Sequence, residues 1–485
     1  MLIIGLDVGT TGTKAIVVNE HGEVLSGGYS EYELITREGG VVAQSADDWW
    51  SAVVSSVRQA TENIADKSEI RAVGISTQGA SMLAADSEGH ALTEVITWMD
   101  NRATDECAEL DRTVGCDAIY RKCGWRLTPA GDAAKIMWIK KNLPDAASGD
   151  VSFVSTLEFV NKKLCGRYVI DPTNAAIRQL FNITTGKWDE EILSAVGITE
   201  ASLPEVLPVG APVGTLTAEA AEALGLSRDV TVYNGAHDQY CAALGCGATK
   251  VGDMLLATGT TWVVLGVTDG LLYTDNYIAP GIHPAKGAFG AMASLVSAGS
   301  SMKWYKNLID GDFKTMDAEA EHRAATAKEL YFMPYLAGAG FPHNKPELHG
   351  SLFGLEMRHD KYDIARALME GVAFEAKEVL DCFGAQNMQI RSLMMTGGAA
   401  RSRLWSEIVG YVTGCDIYRM KEPETCSVGA AMIAAVGEGV FADYDSCAAS
   451  MVRSEKLELT DSGMYSFYEE KFAAYKSLQN KLLGL

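Results

Sequence analysis

The opening stretch Met1–Gly22, MLIIGLDVGTTGTKAIVVNEHG, decides how the rest of the chain is read. Leu2–Leu6 is a short apolar run of the length of a buried strand. Asp7 and Val8 follow, then Gly9-Thr10-Thr11-Gly12-Thr13-Lys14. Ala15–Val18 is a second apolar run, and His21-Gly22 is a turn signal. A carboxylate therefore ends a buried strand beside a turn of small residues rich in hydroxyls and backbone N–H groups. Such a turn lets backbone donors approach a phosphate. The carboxylate can hold a magnesium ion, directly or through water. The same residues also fit a tight hairpin whose Asp bonds its own turn. The stretch is not a Walker A loop, because the G-x-x-x-x-G-K-[ST] spacing is missing and a strand, not a helix, follows. An echo stands at Asp253–Val267, DMLLATGTTWVVLGV, where Thr258-Gly259-Thr260-Thr261 separates two apolar runs. Two copies about half a chain apart point to a duplicated architecture, each half offering one phosphate-binding hairpin.

The bulk numbers narrow the classes. A chain of 485 residues has room for two or more domains. Its formal net charge of −22, with no Lys/Arg block, argues against a nucleic-acid partner. An anionic ligand has to be held by local donors against that field. The 10 cysteines are scattered without a C-x-x-C pair, as reduced thiols of a cytosolic chain are. Met1 leads straight into a strand with no signal-peptide pattern, and no apolar run approaches the ~20 residues of a membrane span. The expectation is a soluble, cytoplasmic protein without a membrane partner.

Along the chain, hairpins alternate with helices, as in a mixed α/β domain. Glu23–Glu33 reads as a third antiparallel strand. Ser45-Ala46-Asp47-Asp48 caps a helix running to about Ile64. Ile70–Ser76 is a buried strand ending at Thr77-Gln78-Gly79-Ala80-Ser81, and Met82–Asp86 is another. Trp98, Asp100 and Arg102 either line a polar ligand site or amount to a core Trp beside a surface ion pair. Asp229–Asn234 is a strand with Gly235-Ala236-His237-Asp238-Gln239 at its end. Asp238 is either a helix N-cap or a general base at the mouth of a sheet. His237 ranks below it. The Gly-rich stretch Gly245–Ala248 marks the domain boundary, dividing 1–246 from 247–485. In the second half, a helix carries Lys303 and Trp304, and a long amphipathic helix spans Asp363–Phe383 before Gly384. Thr396-Gly397-Gly398-Ala399-Ala400 stands between strand and helix. That pattern suits the approach of an adenine ring to the backbone, or tight strand–helix packing.

These pieces, in this order, resemble the FGGY carbohydrate kinases, the group that includes xylulokinase, gluconate kinase and glycerol kinase. GLDVGTTGTK resembles the first phosphate motif, WMDNR the Trp-x-Asp-x-Arg segment, GAHDQYCAALG the segment of the catalytic Asp, and LLATGTT the second phosphate motif. RALMEGVAFE, TGGAARSRLW and SVGAAMIAAVGEG resemble the C-terminal signature. The resemblance covers nearly the whole chain. It implies an actin- and hexokinase-like fold, also called ribonuclease H-like: two α/β domains, each a mixed sheet flanked by helices, around a cleft. It implies an ATP-dependent phosphotransferase with Mg²⁺, acting on a hydroxyl of a small sugar or polyol, such as xylulose or a related ketose. By that carry-over, Asp7 positions the metal and Asp238 is the catalytic base. Gln78, Gly79, Asp100, Asp238 and Gln239 lie at the acceptor. Thr10, Thr11, Gly12 and Lys14 face the transferring phosphate, and Gly259, Thr260 and Thr261 cradle the polyphosphate. Gly299, Lys303, Gly397, Gly398 and Ser402 border the nucleotide. A homodimer is compatible with this class.

The acceptor region departs from the family's patterns. Glycerol kinases carry Arg-Glu where this chain has Gly79-Ala80, and a Tyr where it has Ala130. Xylulokinases carry Met-His-Gly in the Gln78 region. The small residues Gly79, Ala80, Ala130 and Gly131 lead us to expect a roomier acceptor pocket. Duplicated phosphate hairpins also occur in actin-like and chaperone-type ATPases, in which nucleotide drives assembly or client binding. Gly-Ala-His-Asp at the base position, and the lack of an appended client domain, speak against that class. Sugar identity, the hydroxyl phosphorylated and oligomeric state are not legible.

Overall fold

A computed structural model describes residues 1–390 and 392–484. Two sheets share one core topology. The first is built from β1 (Leu2–Val8), β2 (Gly12–Asn19), β3 (Val24–Glu31), β4 (Ile70–Thr77) and β5 (Thr231–His237). β1, β2 and β3 form an antiparallel meander, and β4 then β5 add in parallel on the β1 side. The second sheet repeats this with β6 (Asp253–Thr258), β7 (Trp262–Thr268), β8 (Phe289–Leu295), β9 (Ser392–Gly397) and β10 (Asp416–Met420). Here too the first three strands are antiparallel and the last two parallel. An antiparallel edge strand closes each sheet beyond its last parallel strand, Pro212–Thr215 on β5 and Ser454–Lys456 on β10.

The apolar run of β1 has no polar face because both of its faces are covered. Leu2, Ile4, Leu6 and Val8 pack with Trp49, Val53 and Val57 of α1 (Ala46–Thr61). Ile3 points the other way, into a core shared by both halves. That shared core joins Ile3, Ile16 and Val18 of the first sheet to Leu255, Leu265 and Val267 of the second. Between them lie α2 (Asp238–Gly245) and α4 (Thr425–Gly437). α4 comes from the end of the chain yet rests on the first sheet. Gly5 and Gly74, side by side on β1 and β4, make this approach possible. A Cβ at Gly5 would stand 1.9 Å from the Ser427 carbonyl oxygen, and one at Gly74 1.8 Å from that of Ala430. Outside this layer, α3 (Lys361–Gly384) anchors the second half's own core through Leu368, Val372 and Val379.

Several expectations shift by a turn or less. α1 ends at Thr61 rather than near Ile64. β5 runs on through Gly235, Ala236 and His237, three residues past the expected end at Asn234. Gly384 lies within α3, whose cap is Ala385. No helix among the described residues is long and apolar enough to cross a membrane.

Candidate active site

The first hairpin turn closes on a bond from Gly9 N–H to the Gly12 carbonyl at 3.0 Å, and side chains from neighbouring segments hold it. Tyr32 donates its hydroxyl to the Gly9 carbonyl. Gln44 Nε2 donates to the Thr10 carbonyl at 2.6 Å, and Trp98 Nε1 to Thr10 Oγ1 at 3.0 Å. Thr11 is exposed at the tip, and Gly12 opens β2. Asp7 and Lys14 are cross-strand partners, so their side chains share one face. On that face Ser76 Oγ donates to Asp7 Oδ1 at 2.7 Å, and Lys14 Nζ reaches Glu424 Oε2 at 2.5 Å. Glu424 is the residue before α4, and its side chain does not cap that helix.

Burial pushes the Asp7 carboxyl up to about 7, and the nearby charges of Asp238 and Glu424 add to the rise. The Ser76 bond and Lys14 act against it. Burial, the largest single influence, would lower the Lys14 ammonium, but the bond to Glu424 together with the charges of Glu424 and Asp7 outweighs it and holds Lys14 above its ordinary value. Asp7 thus lies in the field of two other carboxylates and one ammonium, an excess of negative charge that a divalent cation relieves. Among the described residues no cluster of three or more His, Cys, Asp or Glu forms a metal site. The donor set suits Mg²⁺, which takes one or two carboxylates and completes its shell with phosphate oxygens and water.

Asp238 begins α2, and His237, not Asp238, is the N-cap. His237 Nδ1 accepts from Gln239 N–H at 3.3 Å and stands 3.2 Å from Asp238 Oδ1. The Asp238 carboxylate is relieved of capping and is 29% exposed. Gln239 Oε1 is buried without a partner.

Gln78, Gly79 and Asp100 stand one layer behind this surface. Gln78 Nε2 donates to Gln44 Oε1 at 3.0 Å, which ties the acceptor turn to the phosphate hairpin. Asp100 is buried. It accepts from Val42 N–H at 2.7 Å and from Arg102 Nη2 at 2.8 Å. The pairing expected at WMDNR is therefore reversed: the Asp100–Arg102 ion pair is internal, and Trp98 is the exposed member at 44%. The roomy pocket is also corrected. A Cβ on Gly79 would meet His237 Cδ2 at 2.4 Å, and one on Gly131 would meet Gln179 Oε1 at 1.9 Å. The glycines are small because His237 and Gln179 already fill the space. Behind them Lys135 Nζ donates to the Ala80 carbonyl at 2.6 Å, and burial lowers this lysine to about 8.

The second hairpin is held by backbone instead. Thr258 Oγ1 donates to the Thr396 carbonyl at 2.6 Å and accepts from the N–H groups of Ala399 and Ala400 at 3.1 and 3.2 Å. Thr261 Oγ1 donates to the Val296 carbonyl at 3.3 Å. A Cβ on Gly299 would lie 2.1 Å from the Gly259 carbonyl oxygen, so the helix Ala298–Leu308 seats directly on the turn. Between them opens a cavity of about 620 Å³, lined by Gly259, Thr260, Gly299, Lys303, Gly398 and Ser402 together with Thr258. Gly397 borders a neighbouring cavity. Phe313, Lys314, Asp317, Met369, Arg401 and Trp405 also line this cavity. Met369, Arg401 and Trp405 stand in the stretches RALMEGVAFE and TGGAARSRLW, whereas Phe313, Lys314 and Asp317 carry no motif and no sequence signal pointed to them.

Two models of the FGGY family of carbohydrate kinases match the chain, the N-terminal domain over residues 2–245 and the C-terminal domain over residues 254–438. The xylulose kinase of Bacillus subtilis is 26% identical, covering 98% of this chain and 96% of its own. The gluconokinase of Bacillus licheniformis is 28% identical, covering 91% and 89%. The solved structures of a xylulose kinase and a gluconate kinase, both from Lactobacillus acidophilus, each align with TM-score 0.91 at 24% identity. Each alignment covers 99% of this chain and 98% of the other. Equal likeness to two kinases named for different sugars shows the fold and leaves the acceptor open.

Proposed function

We propose, from the premise that the chain belongs to the FGGY family of carbohydrate kinases and is a carbohydrate kinase, that it moves the γ-phosphoryl of ATP to a hydroxyl of a small ketose or polyol, xylulose or a related compound. The observations that carry this reading are the charges of Lys14 and Asp238 acting on the Asp7 carboxyl beside the first hairpin, and the cavity under the second. In this reading residues 1–246 hold the acceptor and 247–485 the nucleotide. Thr10, Thr11, Gly12 and the Lys14 ammonium face the transferring phosphate, and Gly259, Thr260 and Thr261 cradle the polyphosphate. Gly299, Lys303, Gly398 and Ser402 border the nucleoside.

Asp238, steadied at the start of α2 by His237, accepts the proton of the attacking hydroxyl, while Gln239 offers an unmatched acceptor to the sugar. Gln78, Gly79 and Asp100 act from behind by fixing the wall. Asp7 would hold Mg²⁺, directly or through water, and the ion supplies positive charge to the phosphates when bound. Catalysis here is positioning plus charge stabilisation, and closure of the cleft excludes water from the phosphoryl group. A cytoplasmic setting, where ATP is plentiful, fits this activity. The assembly or chaperone ATPase class is set aside by the family.

The test is a kinase screen over pentuloses, hexuloses, polyols and aldonic acids, with ADP release as readout. One class should stimulate turnover well above slow, sugar-independent hydrolysis. No stimulation by any of the four would overturn the proposal.

A further inference from the structure

Beside the nucleotide cavity, at the C-terminal ends of β9 and β10, lies a second cavity of about 440 Å³. Thr396, Gly397, Arg401, Arg419, Lys421 and Glu455 are among its lining residues. We propose that this cavity is an anion site, separate from the nucleotide cavity, that takes a phosphate group, free or carried by a small sugar.

The charge pattern is the first argument. Nearby cations are spent on carboxylates: Arg403 pairs with Glu407 at 2.8 Å and Lys456 with Asp416 at 2.8 Å. Arg401, Arg419 and Lys421 make no ion pair among the described residues, although the chain carries a net charge of −22. Glu455 is the one carboxylate in the lining, and Asp317 of the first cavity is near enough to act on Arg419, so three cations face two anions and the site keeps a positive excess. That excess favours an anionic ligand.

Geometry is the second argument. Arg419 lies within β10, paired with Met395 of β9 on one side and Glu455 on the other. The strand therefore fixes where its guanidinium starts. Its Nε is removed from solvent and has no hydrogen-bond partner, which is costly for a charged donor. A phosphate oxygen would complete it, and the planar fork of Arg matches that oxyanion better than an ammonium does. The C-terminal ends of adjacent parallel strands are where sheets of this class receive ligands. The volume falls within the usual range of small-molecule sites, about 300–1,000 Å³.

Arg401 lines both cavities. Occupancy of one therefore changes the other, and the coupling is reciprocal. The site makes the nucleotide pocket responsive to a phosphorylated metabolite without contact with the acceptor.

The test is calorimetric titration of the full chain, saturated with ADP, with inorganic phosphate and separately with a pentose phosphate. Both probes should bind saturably, and Arg419→Gln and Lys421→Gln should each weaken binding about tenfold. Tighter binding of the pentose phosphate would assign the sugar a contact, and equal binding would assign the site to phosphate alone. The titration is run without Mg²⁺, so that ADP and a pentose phosphate, the products of the proposed reaction, do not react back, and inorganic phosphate with the Arg419 and Lys421 variants separates this site from the acceptor site. If Arg419→Gln does not fold, the exposed Lys421 carries the comparison. The proposal falls if neither probe binds, or if both variants bind as the parent does. It also falls if only Lys14→Ala weakens the binding, because the phosphate would then sit on the first hairpin.

Discussion

The two phosphate hairpins occupy matching places in two sheets of one topology, yet they are built on different chemistry. In the first, the cross-strand pair before the turn is Asp7 and Lys14; in the second, the pair at that register is Ala257 and Val263. Around the first turn, side chains from distant segments supply the support: Tyr32, Gln44, Ser76, Trp98 and Glu424. Around the second, Thr258 binds three backbone groups and Gly299 lets a helix sit on the turn. Duplication supplied the scaffold twice, and charge was placed on one copy only. In the proposed reaction the uncharged copy serves as a rigid cradle, while the charged copy handles protons and metal. It also bears the cost of gathering carboxylates below the surface.

Four changes would break or sharpen that contrast. The largest effect belongs to Asp238, the carboxylate facing the charged hairpin. Asp238→Asn should lower turnover by roughly 10² to 10⁴ while leaving ATP binding nearly intact. Near-normal turnover would remove it from the role.

Next is Asp7→Asn, read in stability. The folded Asp7 carboxyl titrates near 7, against 3.8 ordinarily. Between those values the folded protein keeps a proton that the unfolded chain has lost, so stability falls as pH rises through that window. Without nucleotide, the parent should lose about 2–3 °C of Tm between pH 5 and pH 8 that Asp7→Asn does not lose, for a change of about 2–3 kcal/mol at ~1 kcal/mol per degree in a chain of this length. Parallel Tm–pH curves for the two proteins would contradict the desolvation account.

Thr258→Val tests the other hairpin. It strips a buried hydroxyl from three partners and should cost about 1–3 kcal/mol. Its effect should appear as a lower Tm and a raised KM for ATP, with kcat largely kept. A selective loss of kcat would mean that the cradle also takes part in the chemistry.

The smallest effect lies between the halves. Lys14 and Glu424 are 40% and 31% exposed, so solvent screens the pair. A double-mutant cycle of Lys14→Ala and Glu424→Gln on nucleotide affinity should give a coupling of about 0.5–1 kcal/mol. Full additivity would show that Glu424 does not restrain the lysine.

Much of the scaffold was legible because its signals are local. Apolar runs, turn glycines and the repeated Gly-Thr-Thr are short-range features, and the hairpins, β4 and α1 fall close to where those features put them. Wrong expectations arose where a residue's partner lies far away in sequence. Trp98 and the Asp100–Arg102 pair changed places because Val42 and Thr10, on other segments, decide which side chain is enclosed. Gly79 and Gly131 read as open space, but His237 and Gln179 fill it. For Asp238 the sequence left N-cap and general base both open, and the extension of β5 by three residues gave the capping to His237.

From its residues alone the chain determined a duplicated α/β scaffold, two phosphate turns, one candidate metal carboxylate and one candidate base. Hydrophobic periodicity and turn chemistry act over a few residues and can be read without the fold. Tertiary structure decided which groups meet. α4 crosses to the first sheet over Gly5 and Gly74 and brings Glu424 to Lys14. Helices far apart in the chain close the cavity over the second hairpin. It also decided which polar atoms are spent on neighbours, as with Gln78 and Asp100, and which are left unmatched, as with Gln239 Oε1 and Arg419 Nε. Burial and partner choice are properties of long-range packing, and no local pattern in this chain encodes them.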